Sequence, residues 1–360
     1  MRIICLTTDI STVGGIERAM STMCNYFVEN HNYDVEIISL YKLFKKKPAF
    51  HLNNKIKLSY CNFEVSVPKS FVEKITQNFR QIYHIKKALK DKEYDVLITF
   101  HPHISIPVLI NKGNSRRKII VTEHSDYNNI TALWNFMRKI TYKRADKVVV
   151  LTESNKRKYE RFTSKNLCVI PNAIPFCTDN HSELNNNRII SVGRLEKEKG
   201  FDRLIEIYKK VYEKYDYWKV DIVGEGSEKE TLNKLIEENG LQDNMKILDF
   251  TDNIQLEYLK SDICVIPSRS EAFSMVAVEA MQCGVPVISF DLPGPSSIIN
   301  GRNGIIVKNN DLDEFAKEVI RLIRDKNLMI QYAKNAKEYS EKYTIKNIGE
   351  IWVKMIKEVV

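Results

Sequence analysis

Residues 268–290 read SRSEAFSMVAVEAMQCGVPVISF, and the four residues Ile263–Ile266 before Pro267 read ICVI. A β-branched run, a polar loop, an apolar helix and a second β-branched run follow in order. The helix spans Ser274 to Cys283, is stopped by Gly284 and has Pro286 beyond it. Met275, Val276, Ala277, Val278, Ala280 and Met281 make it apolar nearly all round, which predicts burial. Glu279 is the only charge between Glu271 and Asp291. A buried carboxylate is costly unless donors meet it. Those donors are either protein groups or the hydroxyls of a bound ribose, and the spacing alone leaves both open. Glu271 sits on the loop before the helix. The amides of Ser274, Met275 and Val276, with the helix dipole, form an anion site at the sheet's carboxyl edge.

The same alternation extends in both directions. Upstream, strands are predicted at Ile3–Thr8, Val35–Leu40, Ile56–Cys61, Val96–Phe100, Ile119–Thr122, Val148–Leu151 and Val169–Ile170. Helical patterns such as Glu17–Glu29, Lys74–Lys90 and Leu133–Arg144 lie between them. PNAIPFCTDNHSELNNN, Pro171 to Asn187, is polar and aperiodic and reads as a linker. Strands then resume at Arg188–Val192, Lys219–Val223, Lys246–Asp249, Ile263–Ile266, Pro286–Ser289 and Ile305–Val307. Strand–helix alternation means parallel sheets covered on both faces. The expected fold is α/β: two doubly wound, Rossmann-like domains facing across a cleft, with ligands at the strands' carboxyl ends. The expected boundaries are 1–172 for the first domain, 173–187 for the linker and 188–344 for the second. The amphipathic segment 345–360 is expected to return to the first domain.

Composition narrows the class. A chain of 360 residues exceeds one ordinary core. Neither a signal peptide nor a transmembrane run is expected: the apolar run after Arg2 is short, and prolines and histidines interrupt the longest uncharged stretch, Val96 to Asn111. Seven scattered cysteines without C-x-x-C argue against a structural zinc and for a reducing cytoplasm. Net charge is +9, unevenly spread. Residues 1–182 hold 29 Lys+Arg against 16 Asp+Glu, and the remainder 26 against 30. A basic first half suits an anionic partner or simple solubility. KLFKKKP (Lys42–Pro48) and the face of Phe71–Lys90 mix cations with aromatics, as a membrane-surface patch or a solvated face would.

Other strand ends carry candidate chemistry. In SVGRLEKEKGF (Ser191–Phe201), Arg194 and Lys199 offer a fork and a point charge to a diphosphate, or are plain surface cations. In TDISTVGGIERA (Thr8–Ala19), Gly14-Gly15 allow a phosphate to approach the backbone or form a turn with positive φ. The stretch lacks both G-x-G-x-x-G and a P-loop lysine. His124 ends one strand, and His101 and His103 another. VGEGSE (Val223–Glu228) places Glu225 in a glycine turn. DLD at Asp311–Asp313 reads as the start of a helix rather than a metal-binding pair.

Order and spacing together resemble retaining glycosyltransferases of family 4, the group 1 glycosyl transferases with the GT-B fold. The likeness rests on Gly14-Gly15, His124, Arg194 with Lys199, Gly224-Glu225-Gly226, and Glu271-x7-Glu279. It spans essentially the whole chain and is most specific from Ser191 to Val307. The resemblance implies a nucleoside-diphosphate sugar, by prior a UDP-sugar, bound in the second domain. Arg194 and Lys199 would hold the diphosphate, and the Ser274–Val276 amides its distal phosphate. Glu279 would take the ribose, and Glu271 the transferred sugar. His124 would lie near the sugar and acceptor, and Gly14-Gly15 over the diphosphate. Catalysis would proceed with retention, without metal or other cofactor. Ser274 stands where the family often has Gly, and Pro293-Gly294-Pro295-Ser296 resembles the version in bacterial polysaccharide-assembly transferases. That implies a glycan or lipid-linked acceptor at the inner membrane face. The competing readings are a nucleotide-sugar epimerase on the same fold and a basic nucleic-acid-binding protein. The latter lacks any helix-turn-helix, zinc finger or aromatic RNA platform.

Overall fold

The computed structural model describes residues 1–41, 47–63, 71–112, 117–125, 127 and 130–360. Most of KLFKKKP therefore lies outside the described residues. The chain divides into two compact units, Met1–Pro175 with Ile345–Val360, and Phe176–Thr344.

In the first unit the order is β1 (Arg2–Thr7), α1 (Gly15–His31), β2 (Asp34–Tyr41), β3 (Lys57–Phe63), α2 (Phe71–Leu89), β4 (Val96–Thr99) and α3 (Pro102–Asn111). Then come β5 (Lys118–Glu123), α4 (Ala132–Thr141), β6 (Lys147–Val150), α5 (Glu153–Thr163) and β7 (Leu167–Val169). The strands form one parallel sheet in the order β3-β2-β1-β4-β5-β6-β7. Strands buried on both faces need continuous apolar runs. In β1, Ile3 and Cys5 enter the core under α1, while Ile4 and Leu6 enter the one that holds Ile104 of α3 and Tyr142. The sheet's winding reverses between β1 and β4.

The second unit runs β8 (Arg188–Val192), α6 (Phe201–Tyr212), β9 (Lys219–Val223), α7 (Lys229–Glu238), β10 (Met245–Leu248), α8 (Ile254–Leu259) and β11 (Ile263–Ile266). It continues through α9 (Met275–Gln282), β12 (Val287–Phe290), α10 (Pro295–Ile298), β13 (Gly304–Val307), α11 (Leu312–Arg324) and α12 (Lys326–Ser340). Its parallel sheet has the order β10-β9-β8-β11-β12-β13, with the reversal between β8 and β11. The last helix, α13 (Ile345–Val359), belongs to the first unit. Trp352 and Ile356 enter the core beneath α1, Tyr26 Oη donates to Glu350 Oε1 at 2.6 Å, and a Cβ on Gly349 would lie 2.4 Å from the Tyr26 ring.

Two features depart from the sequence pattern. Helix α3 was not among the amphipathic segments, because it is apolar all round and contains Pro107. Its first turn is set by Pro102 and by His101, whose ring accepts from the His103 amide at the N-cap. The polar segment following Pro175 is no slack tether. The Ser182 amide donates to Cys283 O at 2.8 Å, its hydroxyl to Ser261 O at 2.6 Å, and Lys337 Nζ caps the carbonyls of Thr178, Asp179 and Asn180. A loop rich in backbone polar groups is held wherever donors reach them.

Candidate active site

Four loops follow the carboxyl ends of β8, β9, β11 and β12, and glycines let them touch backbone to backbone. A Cβ on Gly224 would lie 1.9 Å from Gly193 O, one on Gly226 2.4 Å from Leu195 O, and one on Gly294 2.6 Å from Phe273 N. Gly200 has φ +69°, and its Cβ would meet Pro267 O at 2.2 Å. Only glycine fits both the backbone conformation and the contact. The result is a fixed platform at the reversal point of the sheet.

Lys199, from the loop after β8, crosses that point to Glu271, on the loop after β11, with Nζ to Oε1 at 2.7 Å. Ser268 donates to the same oxygen at 2.9 Å, and the Gly294 amide to Glu271 O at 3.0 Å. Both charged side chains are shielded, at 21% exposure for Lys199 and 11% for Glu271. Arg194 is different: it is exposed and pairs with Glu198 one helical turn away. Arg269 ties the two loops from behind, holding Asp202 with both arms at 2.7 and 2.6 Å. That pairing keeps the Asp202 carboxyl below its usual pKa. Exposed Glu225 contributes its carbonyl, which accepts from the Leu195 amide at 2.8 Å.

Helix α9 begins at Met275. Ser274 precedes it in the left-handed region, φ 86° and ψ 79°, which is costly for a residue with a Cβ. Its Oγ is buried, with no hydrogen-bond partner among the described residues. Met275 and Val276 are half-exposed, so the helix start is accessible, while Ala277 through Gln282 are buried. Glu279 is enclosed, at 1% exposure, and accepts from Tyr258 Oη of α8 at 3.2 Å. Its charge and burial together push the Cys283 thiol up to about 12, burial being the larger cause. The pair of motif carboxylates thus divides: Glu271 at the platform's surface, Glu279 inside the unit against a tyrosine. Asp311, in the DLD run, caps α11 by accepting from the Glu314 amide at 3.0 Å, and Asp313 pairs with Lys210.

In the first unit, Gly14 and Gly15 follow β1, and neither has a positive φ, so the turn explanation fails. A Cβ on Gly14 would lie 2.6 Å from the Glu17 carboxylate, while Gly15 opens onto free space. His124 lies past β5, stacked on Phe100 (5.6 Å between centroids), with Nε2 3.0 Å from Thr122 Oγ1. Burial, and secondarily His101, hold its pKa down at about 3, so it is neutral near pH 7. His101 is held down to about 4 by burial and then by His103, and His103 packs edge-on against Trp134 at 4.3 Å. Behind His124 lies a buried group. Arg138 and Glu123 are 3.9 Å apart, Arg138 donates to Tyr159 Oη at 2.8 Å, and Tyr142 donates to Glu123. Burial raises the Glu123 pKa despite Arg138.

Ser268, Tyr258 and the Arg269–Asp202 pair were not foreseen. Ser268 carried a weak signal, a small hydroxyl residue three positions before Glu271. Tyr258 carried none, since it comes from a separate helix.

A shielded lysine–carboxylate pair beside an accessible helix start, at the reversal point of a doubly wound sheet, is an arrangement suited to holding an anionic ligand. Residues 13–176 match the family model for glycosyltransferase family 4, and residues 178–339 the one for glycosyl transferases group 1. The chain is 30% identical over 364 residues to the amylovoran biosynthesis glycosyltransferase AmsD of Erwinia amylovora, covering 98% of each. It is 26% identical over 358 residues, 96% of each, to a Campylobacter jejuni alpha-1,4-N-acetyl-D-galactosaminyltransferase named for a diNAcBac-PP-undecaprenol glycan. The pneumococcal O-GlcNAc transferase GtfA, solved with UDP and GlcNAc, matches with a TM-score of 0.81 at 15% identity, over 100% of this chain and 99% of that one. The chain belongs to glycosyltransferase family 4 and has the GT-B fold. It is a glycosyltransferase.

Proposed function

We propose that the enzyme transfers a sugar, with retention and without a metal, from a UDP-sugar to a glycan or lipid-linked acceptor in surface polysaccharide assembly. The observation that carries this reading is the Lys199–Glu271–Ser268 cluster beside the accessible start of α9. The names of the relatives, one for amylovoran biosynthesis and one for a PP-undecaprenol glycan, support the acceptor class, and the UDP complex supports the donor.

The bond that breaks joins the anomeric carbon to a phosphate oxygen, and its electron pair leaves with the diphosphate. Lys199, Arg194 and the amides of Ser274, Met275 and Val276 neutralise that charge as it develops. The buried Ser274 hydroxyl adds a donor to the distal phosphate. With this many donors a divalent cation is not required, and Asp311 and Asp313 are engaged elsewhere. Glu271 orients the sugar hydroxyls, while Glu279, enclosed and held by Tyr258, anchors α9 from within instead of facing the ribose. The acceptor hydroxyl adds on the face the leaving group vacates and gives its proton to the departing phosphate. His124 is neutral and serves as a hydrogen-bond partner, not a cation. Gly15, open to space, leaves room for a phosphate beside its backbone.

The test is a thermal-shift panel of UDP, GDP, ADP and CDP on wild type and Arg194→Ala, followed by transfer assays with and without EDTA. Binding raises Tm by mass action. A shift with UDP that the variant weakens, and transfer indifferent to EDTA, are expected. No shift with any nucleotide would sink the donor assignment.

A further inference from the structure

Three neighbouring helices of the first unit carry an outer face that no described residue covers. Six of the twelve exposed large apolar side chains among the described residues lie on them: Phe79 and Tyr83 on α2, Ile110 on α3, and Leu133, Phe136 and Ile140 on α4. The spacing is helical. Phe79 and Tyr83 are four apart, and Leu133, Phe136 and Ile140 are three and four apart, so each set forms one outward stripe. Phe79 is 68% exposed and Leu133 65%, which sets them apart from scattered surface apolar residues.

The three helices are tied together. Gln81 of α2 donates to His103 O of α3 at 2.9 Å, and His103 packs on Trp134 of α4. The stripes therefore lie side by side and not on opposite faces.

Cations flank the apolar stripes. Arg80, Lys86 and Lys87 are exposed on α2 and Lys90 just beyond it, and Lys139 and Lys143 on or just beyond α4. No acid occurs between residues 131 and 145, and Glu73, in the first turn, is the only one in α2. In both helices the large apolar residues come before most of the cations.

We propose that this face is a docking surface for an anionic lipid bilayer. Phe79, Tyr83, Leu133, Phe136 and Ile140 enter the boundary between headgroups and acyl chains, while the lysines and Arg80 sit on lipid phosphates. No described helix is long and apolar enough to cross a membrane, so this is attachment to one leaflet. The bilayer is favoured over a second copy of the chain by the excess of cations: two such faces brought together would repel. The inference rests on the first unit alone and does not require the donor or the acceptor to be as proposed.

The experiment is co-sedimentation of the full chain with vesicles of phosphatidylethanolamine and phosphatidylglycerol, and with pure phosphatidylcholine vesicles, without donor or acceptor. Wild type should bind the anionic vesicles and lose binding as salt rises. Leu133→Ser with Phe136→Ser should weaken partition about tenfold or more, given the area inserted. Lys86→Glu with Lys87→Glu should weaken it by a factor on the order of five or more per charge. These side chains are exposed, so the variants' Tm should match wild type. Equal binding by both variants and wild type, or equal binding to phosphatidylcholine, would overturn the proposal. So would dimerisation that Leu133→Ser and Phe136→Ser abolish, with no vesicle binding. None of these outcomes would touch the transferase reading, which is measured on soluble donor.

Discussion

Lys199 and Glu271 form a pair before any substrate arrives, and that fixes how their variants must differ. Lys199 Nζ lies 2.7 Å from Glu271 Oε1, and both side chains are shielded from water. In the proposed donor site, a diphosphate would compete with Glu271 for the same ammonium. Lys199→Ala removes a charge-assisted donor worth about 1.5–3 kcal/mol, so nucleotide affinity should fall roughly ten- to a hundredfold. It should slow transfer more, by about 10²–10³, because the donor acts most strongly on charge that develops in the transition state. Glu271→Gln keeps the shape, still accepts from Ser268, and removes a like charge from beside the phosphates. Nucleotide affinity should then hold or rise, by on the order of 1 kcal/mol at the effective dielectric of such sites. Transfer should nevertheless fall, since an amide binds sugar hydroxyls less strongly than a carboxylate does. The assay is calorimetric titration of UDP into each variant, beside initial rates with the sugar donor. A Glu271→Gln variant that binds UDP tenfold more weakly, in parallel with Lys199→Ala, would refute the shared-lysine argument. Glu271 would then be organising the phosphate site itself.

Three further outcomes are expected. Ser274→Gly should raise stability by about 1 kcal/mol, because it relieves a left-handed residue with a Cβ; denaturant midpoints check it, and a loss of stability would show that the buried hydroxyl outweighs the strain. His101 and His124 have folded pKa values of about 4 and about 3, below the ordinary value of about 6.5. The unfolded chain therefore binds the protons first, and stability is full above about pH 6.5 and falls as pH drops toward the folded values. At pH 5 the loss should be about 2 kcal/mol per histidine, and urea titrations of His124→Asn at pH 7.5 and 5 should show about half the wild-type dependence. Arg138→Met leaves the buried Glu123 without its cation, and should cost the first unit about 3–5 kcal/mol, read as a Tm drop on the order of ten degrees.

The sheets were legible because strands buried on both faces advertise themselves: runs such as ICVI, KVVV and RIISV, short and β-branched, have few other uses. Helix α3 was not, because PHISIPVLIN is buried on every side and periodicity needs a polar face to be visible. The site was legible to the extent that its groups sit on strand-end loops, which the alternation locates. What the pattern could not supply was pairing. Nothing in the letters says that Lys199 bonds Glu271 across 72 positions, that Tyr258 reaches Glu279, or that His124 rests on Phe100.

The glycines explain why those pairings are nonetheless reproducible. Gly193 against Gly224, Leu195 against Gly226, Pro267 against Gly200 and Phe273 against Gly294 are backbone contacts too close for any side chain. They fix the loops after β8, β9, β11 and β12 relative to one another before a charged group is placed. Lys199 immediately precedes Gly200, and Glu271 lies two residues before Phe273. The lysine and the carboxylate are thus mounted on loops that cannot separate without breaking a glycine contact. The proposed neutralisation of a leaving diphosphate would need that rigidity, since donors that have to be reoriented give back part of what they stabilise. The glycine spacing and the charged residues are in this sense one signal, and each alone is weak because its physical purpose lies in the other.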